Sequence, residues 1–506
     1  MASTFFGLNI ATSAVYASQA GLSVTGHNIS NENTKGYTRQ VASQSAGDGL
    51  RFYASYGMLG SGVEVTGIEQ IRDSYYDVKY RNNEAKLGEF TAKYDYTLQI
   101  EDYFNEIDTD GFTIEYENLF STLKSMQGNP SELTYRMEFL NYCSSISEYF
   151  NDIQSKLIVL QQQCNTEVSN MVDRINNISR QIASLNKQIN TVELTGSVAN
   201  DLRDKRELLL DELAGIIPIE VKETKGACGN SDFEVKIQGV TLVETYESLE
   251  LYTKERVLPN NKMDSAGLYD IYFQGTKLDV LAMGLSGKMR ATMDIRDGNN
   301  GTPDDKMKNS YAINFKGIPY YIDKIQEFKE TLAETFNNIH QNNARIDENG
   351  NEVPANYNLY GDTTEDIPIF IISDNGVMTV NEKLIKDPAL MALSIYPIQD
   401  GVEDAGLAEK FLEIQDKPLF RHAVAEDYLQ SIVSEISIDV MKSRTFEKNY
   451  TNIKASIKNQ RLSVSGVDGD EEAMNLMKYQ EAFELASKMI SVMKEIYDKM
   501  KNEMGV

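Results

Sequence analysis

The residues that could do chemistry in this sequence are few, and the most suggestive are carboxylates. Glu106, Asp108 and Asp110, then Gly111 and Glu117, have the spacing of a calcium-binding loop, with glycine at the sharp turn and a carboxylate closing the set. The first position is Glu where such loops carry Asp, and Thr113 stands where they carry an aliphatic residue. A capped turn between helices therefore fits better than a metal site. Asp294, Asp297, Gly298, Gly301, Asp304 and Asp305 form a similar run, but no carboxylate falls at the closing position, as expected of a solvated turn. His27, His340 and His422 are isolated in sequence. Cys143, Cys164 and Cys228 are an odd, widely spaced set, unlike a zinc site or a disulfide scaffold. Cys164 falls on an apolar helical seam, where a buried structural thiol is expected. No Ser or Cys sits in a nucleophile motif, and no glycine-rich phosphate loop or dinucleotide fingerprint is present. These patterns predict no enzyme, no catalytic residue, no metal and no cofactor.

Composition bounds the alternatives. The 506 residues carry 49 Lys and Arg against 76 Asp and Glu, a formal net charge of −27. Nucleic-acid binding is disfavoured, because phosphate neutralisation needs a basic surface. Hydrophobic residues are 41% and charged residues 25%, as in a folded globular chain long enough for about three domains. No stretch approaches 18 apolar residues, so no membrane insertion is expected. The opening Met-Ala-Ser-Thr-Phe-Phe-Gly-Leu lacks a basic region and a sustained apolar core, so no cleaved signal is expected there.

The elements that must position any working surface are mostly helical. Residues 5–30 contain no Lys, Arg, Asp or Glu, and Leu8, Val15, Leu22 and Ile29 recur at a seven-residue interval. Ala11, Ser18 and Thr25 form a second, small-residue seam. Near the other end Leu476, Phe483, Ile490 and Tyr497 share that interval, with Tyr479, Ala486, Met493 and Met500 as the second seam. Ala482, Met489 and Ile496 widen this stripe, as on a helix with more than one neighbour. Between the ends, the pattern predicts a glycine-rich hairpin segment at 46–67, helices near 69–105 and 115–126, and a long coiled-coil-like helix over 157–192. Half-buried strands at 217–221, 233–237 and 269–273 follow, then helix over 306–343. Residues 344–405 are mixed, with a strand at 367–373, and 424–461 return to helix with Val424, Ile432, Ile436, Val440 and Ile453 as core positions. The fold class expected is α+β multidomain: a helical-bundle or coiled-coil rod built from N- and C-terminal segments, with an inserted mainly-β domain.

Asn28-Ile-Ser-Asn31-Glu-Asn33-Thr34-Lys-Gly36-Tyr37 closes the first helix and closely resembles the signature of flagellar rod, hook and hook-associated proteins. Its Asn and Gly residues suit a helix end, where side chains bond to backbone and positive φ is needed. Three further segments resemble the hook-associated protein 1 branch of that axial family, the first proteins of the hook–filament junction. They are Gly62 to Asp73, the Leu-Arg203-Asp204-Lys-Arg206 run within 200–213, and Ser463 to Ala473 with Gly466, Glu471 and Glu472. Gly287 to Gly298 is also similar, while 344–405 resemble nothing in the family. At Val467-Asp-Gly-Asp470 the family usually has Asn-Leu before the acidic run.

The resemblance implies a structural protein of the flagellum that joins hook and filament by self-assembly of its terminal helices. It implies 1–50 with 462–506 as a terminal coiled-coil domain, disordered before assembly, and 51–215, 301–343 and 406–461 as a helical rod domain. The inserted β domain would be 216–300, joined by 344–405. Implied partners are further copies of the chain, hook protein, hook-associated protein 3 and an export chaperone on the C-terminal helix, with passage through the flagellar type III exporter. A hook or distal-rod protein is the rival within the family; the long helix argues against it. A scaffold carrying a surface enzyme in 344–405 is the rival outside it, and that segment has no His or Cys. Charge agrees with this division: residues 1–60 net +1 and 462–506 net −4, leaving −24 in 61–461.

Overall fold

In the computed structural model the described residues are all except 1–5, 52–57, 110, 226–230, 281–284, 303–311, 342–344, 347–351, 354–355, 397–403, 421 and 504–506. The described helices are α1 (Phe6–Asn31), α2 (Ser74–Thr109), α3 (Phe112–Gly128), α4 (Leu133–Glu193), α5 (Asn200–Ile216) and α6 (Lys288–Asp297). They continue with α7 (Ile318–Gln341), α8 (Glu382–Lys386), α9 (Gly406–Leu412), α10 (Ala425–Ser465) and α11 (Gly469–Glu503). The strands form small antiparallel sheets. They are a ribbon of β1 (Gln40–Ala46) and β4 (Val63–Gln70), with the short β2 (Leu50–Arg51) and β3 (Met58–Leu59) paired between them, and a four-stranded meander. The meander is β5 (Glu220–Lys225), β6 (Ser231–Ile237), β7 (Val240–Glu244) and β8 (Glu247–Ser248). A three-stranded sheet of β9 (Leu251–Glu255), β10 (Tyr269–Phe273) and β11 (Thr276–Lys277) follows. The two-stranded pairs β12 (Arg345–Ile346) with β13 (Glu352–Val353) and β14 (Phe370–Ile372) with β15 (Met378–Val380) complete the set.

The chain divides into two compact units, one made of residues 1–88, 173–251 and 448–506, the other of 89–172 and 252–447. The segment 216–300, expected as one inserted β domain, is split by this division: β5–β8 fall in the first unit, β10, β11 and α6 in the second. Polar side chains of α4 explain where each group sits. In the first unit the Asn176 carboxamide accepts from the Leu251 N–H (2.9 Å) and donates to its C=O (2.7 Å), and Asn190 does the same for Ser231. In the second, Asn165 accepts from the Tyr269 N–H at 2.7 Å and donates to the Gly267 C=O at 3.1 Å. A carboxamide can satisfy one donor and one acceptor at once, so each Asn seats a strand end as a neighbouring strand would.

The second unit holds a dense aromatic and aliphatic core. Phe328 of α7 packs against Phe112, Phe150, Phe420 and Tyr428. Residues 356–396 are strapped onto it by backbone bonds from helix side chains: Asn151 to Met378, Asn337 to Ile369 and Phe370, and Arg136 to the Met391 C=O. His340 is fully buried; its Nδ1 lies 2.7 Å from the Ile367 C=O and its Nε2 accepts from the Ala392 N–H at 2.9 Å. Burial holds this ring far below the usual histidine range, at about 4, so it is neutral at pH 7. Ile432, Ile436 and Val440 are core residues as expected and Val424 is half-buried, but Ile453 is exposed. Its spacing satisfied the stripe, but Ile453 lies on the edge of the covered side, and Ile457, one turn later, is the residue buried there.

Candidate assembly interface

Helix α1 is packed on two sides within the first unit. Along one side runs α11: a Cβ on Gly21 would lie 2.6 Å from the Tyr479 ring, and one on Gly7 2.6 Å from the Met493 methyl. On another side lies the β1–β4 ribbon, with the Val63 N–H donating to Ser13 Oγ at 3.2 Å and Gly62 set against Ile10 and Ser13. Two close neighbours leave room only for small side chains, which is why Ala11, Ala17, Ser18, Gly21, Val24, Thr25 and Asn28 are the buried residues of α1. The seam buried in the single chain is thus the small one. Leu8, Val15 and Leu22 are half-buried on the flank and Ile29 is exposed.

Helix α11 is barer still. Of its 35 residues only Glu472 and Ala486 are buried. Leu476, Phe483 and Ile490 are half-buried and Tyr497 is exposed. Ala482, Met489 and Ile496, expected to widen the stripe, are exposed. On the far side Met474, Leu485, Val492 and Ile496 share one face and are 59%, 65%, 53% and 47% exposed.

Below the helix pair lies a polar joint. The chain leaves α1 through Asn31, whose Nδ2 donates to the His27 C=O (3.0 Å) and whose Oδ1 accepts from Thr34 Oγ1 (3.2 Å). Asn33 is exposed, and Gly36 supplies the turn with φ 84°. Asn28 then clamps the returning strand, accepting from the Gln40 N–H (3.0 Å) and donating to its C=O (2.9 Å), while Tyr37 Oη donates to Asn28 Oδ1 at 2.8 Å. Glu472, 2% exposed in the first turn of α11, accepts from Asn28 Nδ2 (3.1 Å) and Arg39 Nε (2.8 Å); Glu471 pairs with the same arginine at 3.1 Å. The Arg39 N–H donates to the Ser465 C=O at 2.9 Å, which ties the segment to the end of α10. That helix ends at Gly466, where a Cβ would meet the Leu462 oxygen at 2.5 Å. Burial opposes the Arg39 charge, and the two glutamates outweigh it and raise its pKa.

A second tier of ion pairs joins α2, α5 and α10. Asp204 accepts from the Thr38 N–H (2.9 Å) and hydroxyl (2.7 Å) and faces Arg72 at 3.4 Å. Arg72 pairs with Asp77 at 2.7 Å, Arg81 with Glu207, and Arg461 bridges Asp77 (2.8 Å) and Asp211 (2.6 Å). Burial pushes the Asp204 carboxyl up. It opposes ionisation of Glu207 as well, but Arg81, Arg72 and Arg206 win and hold that carboxyl below its ordinary range. Arg203 pairs with Glu193 at 2.7 Å and Glu223 at 3.0 Å, at the base of the β5–β8 meander.

The structure therefore gathers Asn28, Tyr37, Asp204 and Glu472 into one network with residues that sequence reasoning did not single out: Thr38, Gln40, Asp77, Arg81, Glu207, Asp211 and Arg461. A partial signal existed. Asp204, Glu207 and Asp211 lie three and four apart on one face of α5, and Asp77 and Arg81 four apart on α2. Two carboxylates of the calcium-like run at 294 are bound to cations: Asp294 to Lys93 (3.0 Å) and Arg290 (2.8 Å), Asp297 to Arg296 (2.7 Å) and Arg256 (2.6 Å), while Asp304 and Asp305 lie outside the described residues. In the run at 106, Asp110 and the side chains of Glu106 and Asp108 lie outside what the structure describes. Among the described residues no group of three or more His, Cys, Asp or Glu is placed to hold a metal ion. Cys143 and Cys164 are buried, and burial pushes the Cys164 thiol up to about 12; Cys228 lies outside the described residues. No described helix is long and apolar enough to cross a membrane.

Two family profiles match the chain. The "Flagellar hook-associated protein FlgK helical domain" matches residues 97–353, just over half of the 506, and the "Flagellar basal body rod FlgEFG protein C-terminal" matches 458–503. A protein described as "Flagellar hook-associated protein 1" from Bacillus subtilis (strain 168) is 26% identical over 100% of this chain and 99% of its own length. The protein of the same description from Escherichia coli (strain K12) is 24% identical over 98% and 99%. The solved flagellar hook junction protein FlgK from Burkholderia pseudomallei is 15% identical with a TM-score of 0.43, over 58% of this chain and 47% of that chain, less than half its length.

Proposed function

Because the chain belongs to the family of the flagellar hook-associated protein FlgK, we propose that the α1–α11 pair is its working surface, completed by neighbouring copies at the junction of hook and filament. The chain is a structural component of the bacterial flagellum. The observation that supports this reading is α11, which leaves Met474, Leu485, Val492 and Ile496 in water on the side away from α1. An apolar helix face of this length contributes about 1.5–3 kcal/mol per large residue only when something covers it. In an axial assembly the cover is the same helix pair of adjacent copies, so ordering of the termini is finished by assembly. On this reading Leu8, Val15, Leu22, Ile29, Leu476, Phe483, Ile490 and Tyr497 belong to the contact with those copies.

On this reading the polar joint sets the angle at which the helix pair leaves the rest of its unit. Glu472 and Asn28 act as positioning residues, and the chain has no catalytic activity. Hook protein on one side and hook-associated protein 3 on the other are the axial partners, and a chaperone shields the C-terminal helix before export without a cleaved signal. Replacing Leu22 and Ile490 with Asp tests the reading on isolated hooks. The variant is expected not to add to hook ends while its far-ultraviolet circular dichroism keeps most of its helix. Addition at the wild-type level would overturn it.

A further inference from the structure

Helices α2 and α10 run side by side in the first unit, tied by Arg461 to Asp77 (2.8 Å), Lys454 to Glu84 (2.7 Å) and Asn83 Nδ2 to the Tyr450 C=O (3.1 Å). Their inward residues use up the acids of this stretch: Asp77 is buried and Glu84 half-buried. What remains outside is unusual for a chain of net charge −27. The exposed residues of α2 from Ser74 to Lys86, and of α10 from Lys448 to Val464, include no Asp or Glu at all. They include four lysines, Lys79, Lys86, Lys448 and Lys458. Large apolar side chains lie among them: Tyr75 is 64% exposed, Val78 55% and Leu462 49%.

We infer that this acid-free, lysine-bearing face is the docking surface for a second copy of the chain. The reason is charge complementarity. Outside α10 from Lys448 to Ser465, which carries four Lys and Arg and no acid, each copy has 45 Lys and Arg against 76 Asp and Glu. Two copies brought together on their acidic surfaces repel, and this face lets one copy present lysines to the other's carboxylates. Attraction falls away when both copies use the same basic face, so the contact is head-to-tail, the kind that continues around a ring or helix rather than closing as a dimer. The exposed Tyr75, Val78 and Leu462 supply the apolar centre that such a contact buries. This deepens the assembly reading above by naming a second interface, in the helical body instead of the terminal pair, and it rests on that reading.

The test uses full-length chain added to isolated hooks, comparing wild type with a Lys79→Glu, Lys458→Glu double variant. Both lysines are exposed, and the circular dichroism of the variant should equal that of wild type. Addition by wild type should slow about tenfold between roughly 50 and 500 mM salt, as expected of charge-steered association, and the variant should be about tenfold slower at low salt and nearly salt-independent. Carboxyl–amine coupling without a spacer, on caps grown from equal ¹⁴N and ¹⁵N chains, should give isotope-mixed peptides containing Lys79 or Lys458. Equal addition by the variant, or coupling of these lysines only within one isotope, would overturn the inference while leaving the terminal-helix reading intact. So would normal addition by the variant accompanied by loss of binding to phosphatidylglycerol vesicles, which would assign the face to a lipid surface. Failure of wild type to add to hooks would overturn the assembly reading and this inference with it.

Discussion

Helices α7 and α11 show two ways in which one chain finishes a helix. Helix α7 has 24 residues and buries twelve of them, among them Phe328, Leu332 and Phe336, so its apolar stripe is satisfied inside its own unit. Helix α11 has 35 residues and buries two, one of which is a glutamate. Both sequences carry large apolar residues at helical spacing. The difference is that α7 meets α3, α4 and α10 residues on several sides, whereas among the described residues α11 packs mainly against α1. Helix α11 is thus apolar beyond the width of the neighbour it has, and that surplus is what the proposed assembly would cover.

The contrast can be broken or sharpened by substitution. Phe328→Ala removes a ring packed against Phe112, Phe150, Phe420 and Tyr428, and should cost the second unit about 3–5 kcal/mol of unfolding free energy in urea. If it costs under about 1 kcal/mol, the self-sufficiency of α7 is mistaken. Glu472→Ala leaves Arg39 and Asn28 without their buried acceptor. Hydrogen exchange across α11 should then lose about 2–3 kcal/mol of protection, with helices 112–128 and 318–341 unaffected.

A pH effect separates the two regions from the other direction. His340 is held near 4 in the fold against about 6.5 in an unfolded chain, so the folded state prefers the neutral ring. Its contribution is complete above pH 6.5 and is lost as pH falls toward 4. Between pH 7 and 5 the second unit should lose about 2 kcal/mol from this group, and His340→Gln should flatten that slope in urea titrations. The smallest expected effect is the most informative: Leu485→Ser with Val492→Ser should change the stability of the isolated chain by less than about 0.5 kcal/mol. Addition to hook ends by that variant should nevertheless fall. A large loss of stability in the isolated chain would mean that the outer face of α11 is already covered.

Much of the fold was legible because periodicity is local. The 157–192 run announced a long helix, although α4 begins at Leu133, since its first turns are rich in Tyr, Asn and Ser that weaken the apolar pattern. Of the strands expected from alternation at 217–221, 233–237 and 269–273, the last two correspond to β6 and β10, whereas β5 begins three residues later than expected, at Glu220. Their allocation to two units did not follow from alternation, because it depends on which carboxamide of α4 each strand end meets. The seven-residue interval on α1 was visible from Leu8, Val15, Leu22 and Ile29, but it marked the flank. The small residues beside it form the contact, since backbones that approach closely exclude large side chains.

What the sequence determined alone was therefore the set of helices, the absence of charge in α1, the surplus of apolar residues on α11 and the signature turn from Asn28 to Tyr37. Each depends on neighbours within a few residues, where 3.6-residue geometry and turn chemistry act directly. Only the tertiary structure decided that Glu472 would meet Asn28 and Arg39, that Arg461 would bridge Asp77 and Asp211, and that one two-helix surface of an acidic protein would carry no acid. Those pairings join residues up to 444 positions apart, and charge has no periodicity from which such partners can be read.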